Sequence, residues 1–268
     1  MIAFTKAHAY GNDFLYVEAR ALAGHDLVAA ARRLCDRHRG VGADGLIVYT
    51  PTPLGATMTL LNADGSAAEL SGNGLRGLAA ILVRARDVQG TTVNRAVEIE
   101  TTAGLRLLTL EQRDGAGYQF AAEMGVPTEL REETIEAAGE VLTASTLSMG
   151  NPQCVILGLL PDDARFNRLG PALERHPRFP AGTNVEFAEI ERPDLLRIRI
   201  WERGVGPTTS SGTGSCAAAV AAAAHGGAHR RVEVVAPGGS QVVEWTPDGV
   251  VLTGWAEIVC DGSFTAGL

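Results

Sequence analysis

The sequence has no CxxC pair, and its four cysteines, Cys35, Cys154, Cys216 and Cys260, are scattered over 268 residues. That is neither a disulfide framework nor a metal-ligand spacing, and the cysteines read as small buried hydrophobes. No run approaches the roughly 20 apolar residues of a membrane helix. The N-terminal stretch MIAFTKAHAYGNDFLYVEAR has no basic start leading into an apolar segment, so the expected location is the cytoplasm. No stretch rich in Lys and Arg interrupts a formal net charge of -8, which leaves no electrostatic footprint for nucleic acid or an anionic membrane. HExxH, GxGxxG opening a nucleotide-binding unit and GxxxxGKS/T are also missing. Those absences point to small-molecule chemistry with neither metal nor cofactor.

What is present is a composition, 46% hydrophobic and 20% charged, that suits one large domain or two smaller ones. The runs LIVYT, ATMTLL, VEIET, LRLLTL, CVILGLL, VEFAEI, LLRIRIW and RVEVVA alternate apolar with polar residues or are β-branched, and so read as strands. Two helices follow glycine-rich turns: LRGLAAILVRAR after SGNG, and SCAAAVAAAAH after SGTG.

Superposing the two SGxG turns aligns Ser71 with Ser211, and upstream features then fall into step. Asn12 lies 59 residues before Ser71 and Asn151 lies 60 before Ser211; each follows a glycine, Gly11 or Gly150. Asp44 and Asn184 both stand 27 residues before their serines, and Asn62 and Glu202 both stand 9 before. Downstream, AVEIETTAGLRLLTL resembles RVEVVAPGGSQVVEW. Serine as a helix cap explains the turns alone but not the shared spacing. The reading is an α+β fold of two pseudo-symmetric lobes from an internal duplication. The boundary falls within 111 to 125, giving lobes 1–115 and 116–268 with the last strand packing back on the N-terminal lobe, and the active site is expected in the cleft between lobes.

A helix N-terminus presents unpaired N–H groups and partial positive charge, so two such ends can hold one carboxylate. Removing the α-proton of an amino acid puts negative charge on that carboxylate. The amides of Gly72, Asn73 and Gly74, with those of Gly212, Thr213 and Gly214, are suited to stabilise it. Inversion of a carbon needs an acid/base group on each face, which a duplicated site with Ser71 and Ser211 at its helix starts provides.

HAYGNDFLYVE, DRHRGVGADGLIVYTP, LNADGSAAELSGNG, SMGNPQCVI, GTNVEF and WERGVGPTTSSGTGSCAAA, in that order over almost the whole chain, resemble the motifs of the diaminopimelate epimerase family. The resemblance implies that fold, a homodimer, no cofactor, and interconversion of LL- and meso-diaminopimelate. It implies that Asn12, Gly72, Asn73, Gly212 and Thr213 hold the reacting end of the substrate. Asn62, Asn151, Asn184, Glu202 and Arg203 would read the distal amino acid end, Arg203 taking the carboxylate and Glu202 the ammonium.

The departures fall on the chemistry. In the family the positions of Ser71 and Ser211 are cysteines, the two catalytic bases. A thiol ionises near ~8.5 and lower at a helix start, whereas a hydroxyl needs an adjacent base, and neither motif shows a histidine partner. Pro207 stands where Glu is usual, Gln153 where His is usual, and Gly45 where many members have Gln. Deliberate replacement of both cysteines leaves Pro207, Ser210, Ser215 and Gln153 unaccounted for, and natural divergence covers them all. Two other readings stay open: a relative that binds an amino acid without turning it over, and an isomerase of this fold with another substrate, as in hydroxyproline epimerases.

Overall fold

β2 (Asn12–Glu18) is buried from Asp13 to Val17, and a strand with no wet face must be covered on both sides. Alternate residues do this: Phe14 and Tyr16 join Leu75, Leu78 and Ala79 of α2 (Gly72–Val88), while Leu15 and Val17 join Ala30, Ala31 and Leu34 of α1 (Leu27–Cys35). The same construction recurs downstream. Cys154 and Ile156 of β11 (Pro152–Leu157) pack on Phe166, Leu169 and Leu173 of α3 (Asp163–Glu174), and Val155 packs under the alanines of α4 (Gly212–Ala221).

The computed structural model describes residues 1–68, 71–88, 95–102, 104–265 and 267. They divide into one unit of Met1–Ala122 with Gly254–Leu268 and another of Glu123–Thr253. In the first, β1 (Ile2–Ala9) pairs antiparallel with β2, β2 pairs parallel with β3 (Gly45–Pro51) across α1, and β3 pairs antiparallel with β4 (Gly55–Asn62). The β4 strand takes the short β5 (Ala67–Ala68), then pairs parallel with β6 (Ala96–Thr101) across α2; β6 pairs antiparallel with β7 (Gly104–Asp114), and β7 with β8 (Gly117–Gly125).

The second unit repeats this order. β9 (Thr128–Ala137) pairs with β10 (Glu140–Ser148), β10 antiparallel with β11, β11 parallel with β12 (Asn184–Arg192) across α3, and β12 antiparallel with β13 (Leu195–Glu202). Then β13 takes the short β14 (Gly206–Thr208) and pairs parallel with β15 (Arg231–Ala236) across α4; β15 pairs with β16 (Gly239–Thr246), and β16 with β17 (Gly249–Phe264).

The expected strands and the duplication are present, and the structure adds two helices. Composition did not reveal α1 and α3, yet each has an aspartate cap: Asp26 accepts from the Val28 amide at 2.9 Å and Asp162 from the Arg165 amide at 2.8 Å. Where lobes of 1–115 and 116–268 were expected, the units divide at Ala122, since the β7 ladder with β8 reaches that residue. The tail from Gly254 belongs to the first unit, where β17 pairs with β1 from Ile2↔Phe264 to His8↔Glu257. Among the described residues no helix is long and apolar enough to cross a membrane.

Strand registers also correct one equivalence. Phe14 pairs with Gly45 and Leu46 with Leu61, while Gln153 pairs with Asn184 and Val185 with Trp201. The counterpart of Asn184 is therefore Gly45 and not Asp44. An irregularity between Ile190 and Arg192 inserts a residue into the β12–β13 hairpin, and such a bulge makes a count through the hairpin slip by one. The same registers match Phe14 with Gln153, Ile47 with Glu186, and Asn62 with Glu202.

Candidate active site

Ser71 and Ser211 head their helices in the same way. Each hydroxyl oxygen accepts a hydrogen bond at 3.1 Å from the amide three residues on, Gly74 or Gly214, and each carbonyl accepts from the amide four residues on, Leu75 or Ser215. Both are thus N-caps. The donated amide and the helix dipole favour a negative oxygen at that place over a neutral one. Ser211 is buried and Ser71 half-buried.

A second layer repeats as well. Gly11 and Gly150 have φ of 82° and 88°, a left-handed conformation that a Cβ disfavours, and each turns the chain so that the next asparagine faces a helix start. Asn73 donates through Nδ2 to Asn12 Oδ1 at 3.4 Å, and Asn151 Nδ2 donates to Thr213 Oγ1 at the same distance. Asn73 Oδ1 accepts from Arg76 Nη1 at 2.9 Å.

The supports behind those asparagines differ. Asn12 Nδ2 donates to Asp44 Oδ2 at 2.8 Å, and Arg37 bridges Asp44 and Asp13 at 2.8 and 2.7 Å while Lys6 meets Asp13 at 2.8 Å. Burial raises the Asp13 pKa, but the bonds and charges of Arg37 and Lys6 outweigh it and hold the carboxyl below its usual range. Asn151 leans on a neutral partner, with Gln153 Nε2 donating to its Oδ1 at 2.6 Å.

The distal-end candidates lie at strand ends. Asn184 Oδ1 accepts from the Arg203 amide at 3.0 Å, its Nδ2 donates to the Pro152 carbonyl, and the Arg203 guanidinium donates to the Ala181 carbonyl at 3.3 Å. Glu174 at the end of α3 accepts from Trp201 Nε1 and the Gly204 amide at 2.8 and 2.9 Å, gripping the chain on both sides of Glu202 and Arg203. Asn62 is exposed and donates to Ser66 Oγ at 2.9 Å. Gly72 has open space where a Cβ would stand, and one on Gly212 would meet Leu252 at 3.3 Å.

Glu202 was expected to face an ammonium; the partner the structure gives it is the Ser211 hydroxyl. Its carboxyl is half-buried, and desolvation raises its pKa despite the lowering effect of that hydrogen bond. The motif did not reveal this neighbour of Ser211, because it sits one strand away and not in the helix turn. Glu186 was not foreseen at all. It is fully buried, and a Cβ on Gly214 would lie 2.6 Å from its Oε1. Neither of its oxygens has a hydrogen-bond partner among the described residues, and desolvation, then the charge of Glu202, push its pKa well up, leaving it a neutral acid. The one hint in the sequence is a glutamate in the middle of the apolar strand NVEFAEI. Pro207 lies opposite Trp201 in β14 and lines a groove with Phe166, Arg199 and Pro237.

A family profile described as diaminopimelate epimerase matches residues 4–130 and 145–259. The diaminopimelate epimerase of Desulforudis audaxviator is 43% identical over 97% of this chain and 98% of its own, and that of Pelotomaculum thermopropionicum is 38% identical over the same shares. A chloroplastic diaminopimelate epimerase of Oryza sativa subsp. japonica is 39% identical over 97% of this chain and 79% of its own. Among solved structures, a predicted epimerase from Pseudomonas aeruginosa superposes with a TM-score of 0.74 at 15% identity over 100% of both chains. A hydroxyproline epimerase from Agrobacterium vitis gives 0.62 at 16%, over 97% of this chain and 90% of its own, and both show the same fold. With the profile spanning nearly all of its length and relatives this similar from end to end, the chain belongs to the diaminopimelate epimerase family.

Proposed function

We propose that this protein is an isomerase that interconverts LL- and meso-diaminopimelate by proton transfer at the α-carbon, on the route to lysine and peptidoglycan. It works in the cytoplasm as a homodimer, without a cofactor and with no nucleic acid or membrane partner. The observation that carries the reading is the repeated helix start: a serine hydroxyl held by the amide three residues on, with an asparagine from a glycine turn bonded to the helix's second residue. Each start offers amides for a carboxylate on which charge develops, and each unit brings one hydroxyl to a reaction that needs one group to take a proton and another to deliver it. Asn12, Gly72, Asn73, Gly212 and Thr213 hold the reacting end; Asn62, Asn151, Asn184 and Arg203 read the other. A carboxylate accepts several hydrogen bonds, so Glu202 serves Ser211 and an ammonium together.

The test is calorimetry and α-hydrogen exchange in heavy water with LL-, meso- and DD-diaminopimelate, against proline and hydroxyproline. Binding confined to proline-type ligands would replace the substrate. Binding of diaminopimelate with no exchange would favour the second reading, a binding protein, which the hydroxyls in place of thiols support.

A further inference from the structure

A carboxamide whose oxygen is fixed at one end has its nitrogen fixed at the other, and the two asparagines of the first helix start are fixed from both sides. Arg76 is buried, with its guanidinium 5.8 Å from the centre of the Tyr10 ring, and a Cβ on Gly254 would meet its Cζ and Nε at 2.9 Å. Arg76 Nη1 donates to Asn73 Oδ1 at 2.9 Å. A guanidinium only donates, so that oxygen cannot change places with the amide nitrogen, and Asn73 offers Nδ2 to Asn12. At the far end the Asp44 carboxylate, paired with Arg37 at 2.8 Å, only accepts. Asn12 must therefore turn Nδ2 to Asp44 and Oδ1 to Asn73. Followed from Arg76 or from Asp44, the orientation is the same.

The second helix start has no such ends. Cys216 stands five residues after Ser211, as Arg76 does after Ser71, and the registers match Asp44 with Thr183, whose hydroxyl donates to the Asn184 carbonyl. Asn151 lies between the Gln153 amide and the Thr213 hydroxyl, and each of these can donate or accept. Turning Asn151 and Gln153 over together keeps both bonds.

We propose that Arg76 and Asp44 are positioning residues, the donor-only and acceptor-only ends of a relay that holds the Asn12 oxygen toward the first helix start, so that this start takes the ammonium of an amino acid together with its carboxylate. The proposal rests on the amino acid reading above. Helix amides hold a carboxylate whether or not an amino group accompanies it. The Asn12 oxygen supplies the discrimination: one lone pair faces Asn73 at 3.4 Å, and the other is left for a donor on the ligand. Turned over, Asn12 would set its own N–H groups against the ammonium.

The experiment loosens the relay from opposite ends in the full-length protein. Asp44→Ala removes the acceptor at an exposed position, and Gly254→Ala keeps every polar group but pushes a methyl into the space of the Arg76 guanidinium. Calorimetry with meso-diaminopimelate and with pimelate, the same seven-carbon dicarboxylate without amino groups, measures the preference for ammonium. That preference should fall about tenfold in each variant, the lower end of what a hydrogen bond to a charged group contributes, with the pimelate affinity kept. A residue that only supports the fold would weaken both ligands alike. Equal weakening, or an unchanged preference, in a folded Asp44→Ala protein overturns the proposal, and this variant decides alone if Gly254→Ala does not fold. A second readout needs no ligand: by NMR, the Asn12 side-chain amide protons should exchange with water several-fold faster in Asp44→Ala, and exchange at the unaltered rate overturns the relay. If neither ligand binds the unaltered protein, the substrate assignment falls and this exchange rate decides whether the relay stands.

Discussion

The surroundings of Ser71 and Ser211 agree in frame and differ in lining. Cap geometry, the left-handed glycines before Asn12 and Asn151, and the strand order around α2 and α4 repeat almost feature for feature. The side chains behind them do not: a partly buried ionic cluster supports Asn12, and a buried glutamine supports Asn151. Backbone geometry constrains a duplicated unit strongly because every position in a turn or ladder depends on its neighbours. A side chain under a helix start can change as long as its volume fits. The two halves have kept one fold and changed the side chains that line it.

The sharpest way to break that comparison is to restore thiols. Ser71→Cys together with Ser211→Cys should raise inversion by roughly 10²–10⁴-fold, the scale of a working acid/base group, read as stereochemistry and deuterium uptake. Of the single changes, each well short of the pair, Ser71→Cys should give the larger gain in inversion, since Ser211 already has Glu202. A larger gain from Ser211→Cys would reverse the comparison.

Removing Asp13 tests the ionic side. Asp13→Ala strands Lys6 and the partly exposed Arg37, and should cost about 2–4 kcal/mol of unfolding free energy, below the full range for a buried pair because water still reaches Arg37. Urea melts check it. Because the Asp13 pKa is lowered by folding, its stabilisation is present above the ordinary aspartate range and disappears as pH falls through the lower folded value. Asp13→Asn should lack that acid dependence. The second unit has Pro152 at the matched position and no such cluster there.

Gly11→Ala and Gly150→Ala probe the shared frame. Each forces a Cβ into the left-handed region and should cost about 1–2 kcal/mol, similar in both units; a much smaller effect at either would show that the turns are not equally demanding. The smallest effect expected is at Glu186. Folding raises its pKa, so its contribution is complete below the ordinary glutamate range and declines as pH rises toward the folded value. Glu186→Gln should therefore gain about 1 kcal/mol or more at pH 8 relative to its effect at pH 4, one pKa unit being worth about 1.4 kcal/mol. Thermal melts at the two pH values decide. A difference that is the same at both would mean that Glu186 is not held neutral.

Legibility followed the range of the interactions. The strands LIVYT and VEFAEI could be read because a strand covered by helices is largely apolar, RVEVVA because exposed and buried positions alternate along it, and the SGNG and SGTG turns because a cap and a glycine act within four residues. α1 and α3 escaped, although Asp26 and Asp162 mark their starts, because LVAAARRLC and DARFNRLGPALE are short and mixed. Matching Asp44 with Asn184 failed at the bulge after Ile190, which no count along the chain can detect. Glu202 was assigned to the distal end, and its bond to Ser211 was invisible because the residues meet across a strand end and a helix start.

The sequence by itself determined the duplication, both helix starts, the family and the serines at the two base positions, since each is written in residue type and spacing. Only the tertiary structure decided which serine has a carboxylate beside it, that Glu186 is buried and uncharged beneath Gly214, and that the last strand completes the first unit. Strand register and desolvation set these, and both depend on residues far apart in the chain being brought together, with water excluded from the carboxyl beneath the second helix start.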